Sequence, residues 1–184
     1  NIMKNIKEVS ISSESLNHLR TVRLDPNIKK FIQLTNDQKA AYQTLHKQLE
    51  ELGTLVKASL SDPDMYEIRL TSGFNSSSGI RGYIPKDLWV SVSPKANTKT
   101  LAGNPQLYVI ISERGIEYGY GASVHPSQFS DQKLKKHVRS TAPKVFKTLP
   151  SQDSIETTKL AKNIQNSGRW NFLKKQREAQ GHSD

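Results

Sequence analysis

The sequence predicts an α+β fold, with a mostly antiparallel central sheet of about four or five strands flanked by helices. Two patterns lead to this fold class. Apolar residues recur at helical spacing before residue 60 and again after residue 125, whereas apolar and polar residues alternate between residues 66 and 120. This order of helix, sheet and helix is typical of a domain in which helices cover an antiparallel sheet.

A chain of 184 residues can form one sizeable core with an appended segment, but it is short for two full domains. We therefore expect three parts. Residues 1–34 form an irregular or partly helical lead-in segment, and residues 35–150 form the main α+β domain. Residues 151–184 form a helical, basic C-terminal segment or a linker towards a missing downstream region.

The clearest helix is predicted over residues 35–60. Thr35 is a good N-cap residue, and Gln38 three positions later completes a capping box. Gly53 costs about 1 kcal/mol relative to alanine in a helix, so it predicts a bend or an early end. The apolar series of this helix is Ala41, Leu45, Leu49, Leu52, Val56 and Leu60.

Strict alternation predicts four strands, near residues 66–70, 88–92, 107–111 and 116–120. Ser112 to Gly115 is a short connection, which predicts a hairpin between the last two strands with Gly115 at positive φ.

Helical spacing returns after residue 125, with Phe129, Leu134 and Val138 on the inner side. Pro143 is expected to break this helix, because proline lacks the backbone N–H of a helix interior. A second helical segment is predicted over residues 153–166.

Charge is the strongest indication of function in the composition. Lysine and arginine number 27 and acidic residues 17, which gives a net charge of +10. Residues 1–120 hold 15 cations and 12 anions, whereas residues 121–184 hold 12 cations and 5 anions. Such an excess favours a partner with a phosphate backbone, although anionic membranes and acidic proteins would also attract it.

The composition also excludes several classes of protein. Cysteine is absent, so disulfides, thiolate nucleophiles and cysteine zinc sites are excluded, and a cytoplasmic location is expected. No apolar run approaches the roughly 18 residues that a membrane span needs. We therefore expect a soluble protein with no membrane partner.

No catalytic motif is apparent, and we expect neither enzymatic activity nor a metal or cofactor. Pro63-Asp64 followed by Glu67 and Arg69 has a superficial likeness to restriction nucleases, but the gap is short and arginine replaces the usual lysine. No Walker-type loop or Gly-x-Ser-x-Gly motif occurs. The five histidines lack paired metal spacing: His18, His46, His125, His137 and His182.

The stretch "GIRGYIPKDLWVSV", residues 79–92, combines aromatic and basic side chains with glycines immediately before a strand. Aromatic rings can stack on an unpaired base, and cations can hold the flanking phosphates. We expect a base pocket formed by Tyr83, Trp89, Tyr118 and Tyr120. We expect phosphate contacts from Arg81, Lys86, Lys133, Lys135, Lys136 and Arg139.

Simpler interpretations of the same residues stand beside this one. Trp89 alternates with Leu88 and Val90, so it also fits a position on the second face of the sheet, under a helix. Tyr118 and Tyr120 also fit core or sheet-surface positions. The cations of residues 133–139 also fit a solvated helix face.

Residues 77–94, "SSGIRGYIPKDLWVSVSP", and residues 103–125, "GNPQLYVIISERGIEYGYGASVH", together resemble the N-terminal domain of McrB-type proteins, the GTP-driven subunits of modification-dependent restriction systems. The tail "GRWNFLKKQRE" resembles the linker between such a module and a downstream motor. The pieces that correspond to the family pattern are Gly79 to Gly82, Ile84-Pro85 with Trp89, Pro105 to Ile111, and Glu117 to Gly121.

The resemblance implies a DNA-recognition domain over residues 35–150 that binds double-stranded DNA with methylated cytosine and flips the modified base into an aromatic pocket. It also implies a GTPase motor downstream and a nuclease subunit as partners. The alternative is a protein-interaction or assembly domain, in which the basic tail docks an acidic partner and the aromatic residues belong to the core. An active nuclease is the third possibility.

Overall fold

The computed structural model describes residues 9–71, 82–85, 87–95, 104–122, 131–147 and 154–166. These residues form helices and one four-stranded antiparallel sheet, which confirms the α+β fold class. The helices are α1 (Ser13–Leu24), α2 (Asn36–Ser59), α3 (Gln132–Lys147) and α4 (Ile155–Asn166), and the strands are β1 (Tyr66–Leu70), β2 (Leu88–Pro94), β3 (Pro105–Ser112) and β4 (Gly115–Ala122).

Helix α2 begins at the predicted capping box. The Thr35 hydroxyl accepts a hydrogen bond from the Gln38 backbone N–H at 3.2 Å, and the Gln38 side-chain oxygen accepts one from the Thr35 N–H at 2.9 Å. The helix then continues to Ser59, so the expected early end at Gly53 is wrong. Gly53 is there because the helix backbone lies directly on the sheet: a Cβ at this position would be 2.6 Å from Cγ2 of Val90 and 3.2 Å from Cγ2 of Ile68.

The strands follow one another in the order β1-β2-β3-β4. The last two form the predicted hairpin, in which Ser112 pairs with Gly115 and Gly115 has a φ of 119°. Residues directly opposite each other in paired strands share a face. The register therefore places Leu70, Val90, Val109 and Tyr118 in one row across the sheet, on the face that α2 covers in part.

The lead-in segment belongs to the main core. Leu19 and Val22 of α1 are buried in the same cluster as Leu45 and Leu49 of α2. Helix α1 of the lead-in segment therefore supplies apolar side chains to the core of the domain expected over residues 35–150.

The C-terminal helices match the predicted segments except at one residue. α4 lies within residues 153–166 as expected. Helix α3 continues through Pro143 to Lys147, so the expected break is wrong. Pro143 removes one backbone hydrogen bond but is exposed, while Val138 and Ala142 are buried and pack the helix against Ala122.

Replacing Gly53 with alanine is expected to destabilise the protein. Helix propensity favours alanine by about 1 kcal/mol, but overpacking a core contact costs about 1–3 kcal/mol. We expect Gly53→Ala to lower the free energy of unfolding by up to about 2 kcal/mol, measured by urea denaturation. Gly121→Ala is the matched control, because its Cβ would meet nothing within 4 Å. Equal stability of the two variants would contradict the close contact.

Tyr42 is expected to make stability fall at alkaline pH. Burial raises the pKa of its phenol to about 12, and the nearby Arg23 guanidinium offsets only part of this effect. Below pH 10 the phenol holds its proton in both states, whereas above pH 10 the unfolded state loses it first. The free energy of unfolding of the wild type, relative to that of Tyr42→Phe, should therefore fall by up to about 1.4 kcal/mol per pH unit above pH 10. Urea denaturation at pH 9, 10 and 11 measures this, and a constant difference would contradict it.

Candidate functional site

Tyr118 and Tyr120 form an exposed aromatic surface on β4. They are two residues apart, so strand alternation directs both to the same face of the sheet. Tyr118 is 51% exposed and Tyr120 is 38% exposed. Their partners across the β3–β4 ladder are Val109 and Leu107. We call these four residues, Leu107, Val109, Tyr118 and Tyr120, the tyrosine face.

A shallow apolar cleft separates the tyrosine face from α2. Its volume is about 310 Å³, at the lower limit of typical ligand pockets. Leu52, Gly53 and Val56 of α2 form one wall, and Tyr118 lies on the opposite side of the opening. The cleft exists because α2 packs on β1 and β2 at Gly53. Beside this contact, the helix leaves β3 and β4 uncovered.

A second cleft of about 270 Å³ continues along the same face. Tyr120 and Tyr66 line it together with Leu60 at the C-terminal end of α2. Each tyrosine of β4 therefore borders its own apolar depression. A planar ring or base that stacks on either phenol would also cover part of a cleft, which adds apolar burial to the stacking.

The opposite face of β4 is occupied by another aromatic residue. Tyr108 lies directly across from Gly119, and its hydroxyl would be 2.8 Å from a Cβ at that position. The Tyr108 hydroxyl also donates a hydrogen bond to the Glu117 carboxylate at 3.3 Å. Gly119 is therefore required for the close approach of the Tyr108 ring. This packing supports β4 on the face opposite the tyrosine face.

The structure does not bring Trp89 to the tyrosine face. Trp89 pairs with Ile110, whereas its neighbour Val90 belongs to the row that contains Val109 and Tyr118. The indole is therefore on the second face of the sheet, partly buried, as the simpler interpretation of the sequence allowed. Its backbone N–H donates to the Thr71 hydroxyl, which extends the β1–β2 pairing by one residue.

Tyr83 lies on the segment before β2 and contacts a cation. This segment pairs with the lead-in, because the Phe31 N–H donates to the Gly82 carbonyl at 2.7 Å and the Ile84 N–H donates to the Lys29 carbonyl at 2.9 Å. Tyr83 is 60% exposed, and the Lys30 ammonium lies 5.9 Å from the centre of its ring. This distance fits a cation–π contact at an exposed site.

Helix α3 carries a row of cations and no acidic residue of its own. Its 16 residues include no aspartate or glutamate, and Asp131 caps its N-terminus by accepting from the Lys133 N–H at 2.9 Å. Within the part of the chain that the structure describes, none of the α3 cations forms an ion pair. The exposed cations, Lys133, Lys136, Arg139, Lys144 and Lys147, form what we call the basic face, and Lys135 at its border is half-buried.

Like charges three residues apart on a helix destabilise it by a few tenths of a kcal/mol per pair. Lys133, Lys136 and Arg139 follow one another at this spacing. A polyanion beside the helix would remove this repulsion, so the arrangement favours an anionic partner.

The buried side of α3 packs at the end of the strand that carries the tyrosines. Val138 and Ala142 contact Ala122, two residues beyond Tyr120. A hydrogen bond of 3.1 Å between Nε2 of His137 and the Asn104 side-chain oxygen joins α3 to the residue before β3. The tyrosine face and the basic helix are therefore neighbouring parts of one surface region.

Two of the expected phosphate contacts, Arg81 and Lys86, lie outside the described residues. Residues 72–81, which hold the glycine-rich part of the family pattern, and the tail beyond residue 166 also lie outside them.

Sequence reasoning missed the contact of Lys30 with Tyr83, and it missed the positions of Leu52, Val56 and Tyr66 beside the two clefts. Lys30 meets Tyr83 only through long-range pairing, so no local pattern indicated it. The two α2 residues were expected in the core, but the cleft is open beside them. The apolar series of α2 continues beyond Gly53. This continuation was the pattern in the sequence that could have indicated a surface site.

The described residues hold no group of three or more histidine, aspartate or glutamate side chains that could bind a metal ion. Their helices include none with the length and apolar character to cross a bilayer. No family model, curated protein or solved structure matches the chain.

Proposed function

We propose that this chain is a non-catalytic DNA-binding module that recognises methylated cytosine. The main support for the proposal is the proximity of the exposed Tyr118 and Tyr120 to the basic helix α3. Lysines and arginines that neutralise phosphates release counterions and supply most of the affinity for DNA. The tyrosines supply planar surfaces on which a base can stack.

The preference for a modified base follows from the apolar cleft beside Tyr118. A base inside a duplex is stacked, so the protein must rotate it out at a cost of a few kcal/mol before it can reach the phenol ring. A methyl group on the extruded cytosine would then be buried against apolar side chains of the cleft. Burial of one methyl contributes about 0.8 kcal/mol, which corresponds to roughly fourfold tighter binding.

In the cell, we place the module as the specificity domain of a modification-dependent restriction system in the cytoplasm. This part of the proposal rests on the resemblance of residues 77–94 and 103–125 to McrB-type N-terminal domains. A downstream GTPase motor and a nuclease subunit would then perform the catalytic steps, and this chain would select the DNA.

A protein-interaction domain is the second candidate function. The specific observation in its favour is the apolar cleft between α2 and the tyrosine face, because apolar clefts also bind peptide side chains. The basic face of α3 would then attract an acidic partner. A mobility-shift assay at low salt separates the candidates, since the interaction domain is expected to leave every DNA probe unshifted.

Removing cations from the basic face is expected to weaken DNA binding and its salt dependence. If Lys136 and Arg139 both contact phosphates, the double variant Lys136→Gln/Arg139→Gln should reduce the slope of log affinity against log salt by about 1.8. Fluorescence anisotropy with a duplex from 50 to 200 mM salt measures this slope. Lys47→Gln removes an exposed cation of α2 and is the matched control. An unchanged slope in the double variant would contradict phosphate contact by α3.

Methylation is expected to strengthen binding through the cleft. We expect a fully methylated duplex to bind about fourfold more tightly than the plain duplex, with a hemimethylated duplex between them or equal to the fully methylated one. Tyr118→Ala should abolish this difference, whereas Trp89→Phe on the second face should preserve it. A titration of all three duplexes at two salt concentrations tests the expectation. Equal binding of the three duplexes would remove the modified-base part of the proposal.

A further inference from the structure

The spacing of the two tyrosines limits the form of DNA that can use both rings. Tyr118 and Tyr120 are separated by two residues of an extended strand, so their Cα atoms are roughly 6.8 Å apart. Neighbouring bases on one strand of a duplex are about 3.4 Å apart along the helix axis. Two successive bases in a stacked helix therefore cannot each lie on one of these rings.

An extended, unstacked strand can satisfy this spacing. When the bases no longer stack on each other, the backbone stretches and successive bases can lie on successive aromatic side chains of a sheet. The two clefts support the same geometry, because Tyr118 borders the first and Tyr120 the second. Each base would thus have its own phenol ring and its own apolar depression.

The charges near β4 fit a strand that runs along it. Helix α3 packs against Ala122, two residues beyond Tyr120, and its basic face carries exposed cations. A phosphate backbone leaving the second base in this direction would approach helix α3, which carries these cations. The β-strand itself carries a single acidic residue, Glu117, which accepts the hydrogen bond from Tyr108.

We infer that the tyrosine face binds two adjacent unpaired bases, and that single-stranded or locally melted DNA is the preferred form of the ligand. The inference rests on the proposed DNA-binding function and deepens it. A single flipped cytosine fills one of the two positions, whereas an unpaired dinucleotide fills both and requires no further unstacking energy.

The test is a comparison of three probes of equal length by fluorescence anisotropy: a single strand, its perfect duplex, and the same duplex with a central two-nucleotide mismatch. We expect the full chain to bind the single strand and the mismatched duplex at least about tenfold more tightly than the perfect duplex, because base stacking on an aromatic ring supplies most of such a gain. Equal affinity for the perfect duplex and for the single strand would overturn the inference.

Variants at each tyrosine separate stacking from simple apolar contact. Tyr118→Ala and Tyr120→Ala should each weaken single-strand binding by roughly 5- to 150-fold and change perfect-duplex binding less. Tyr118→Phe and Tyr120→Phe keep a ring and should bind like wild type, whereas the corresponding leucine variants keep apolar volume without a ring and should bind like the alanine variants. Leucine variants with wild-type affinity would overturn the inference, and circular dichroism melting of each variant establishes that it is folded.

The two proposals fail in different ways. If no DNA probe binds at low salt, the DNA-binding function itself is wrong. If perfect duplex binds and the single strand gains nothing over it, DNA binding stands and only the two-base site is wrong.

Discussion

The contact of Gly53 with Val90 and Ile68 determines where the remaining surfaces lie. The lack of a side chain at residue 53 lets the α2 backbone approach the sheet more closely than any other residue would allow. Because this contact fixes α2 over β1 and β2, the helix leaves β3 and β4 uncovered beside Tyr118. The cleft and the exposure of the tyrosines are thus consequences of one backbone contact in the core.

Strand β4 contains both residues that pack against the core and residues that are exposed to solvent. Ile116 at the start of β4 packs against the core that α1 and α2 form, whereas Tyr118 and Tyr120 further along the same face reach solvent. Ala122 is then partly buried against α3. Both ends of β4 are therefore held by packing, and its middle presents aromatic rings in fixed positions, which reduces the entropy lost when a ligand binds.

The elements of the fold could be predicted because their signals are local. A capping box at Thr35 and Gln38 marked the start of α2, and alternation marked all four strands. Pro143 was misjudged because the effect of a proline depends on what its helix packs against. Val138 and Ala142, which both precede the proline, pack α3 against Ala122, and a local sequence pattern does not show such contacts between separate elements.

The composition of the candidate site was harder to predict than the fold, because it depends on strand register. Sequence reasoning grouped Trp89 with Tyr118, and only the pairing of β2 with β3 and of β3 with β4 puts them on opposite faces. A shift of one residue in register would exchange the two faces. The partnership of Lys30 with Tyr83 likewise depends on pairing across more than fifty positions of the chain.

The segment that carries Tyr83 is fastened to the lead-in through main-chain atoms, by the bonds from Phe31 to Gly82 and from Ile84 to Lys29. Such bonds do not depend on which side chains the paired residues carry. The chain can therefore exchange the exposed Tyr83 for another residue and keep the path of its backbone. Selection could alter what this part of the surface prefers to bind without first having to rebuild the scaffold beneath it.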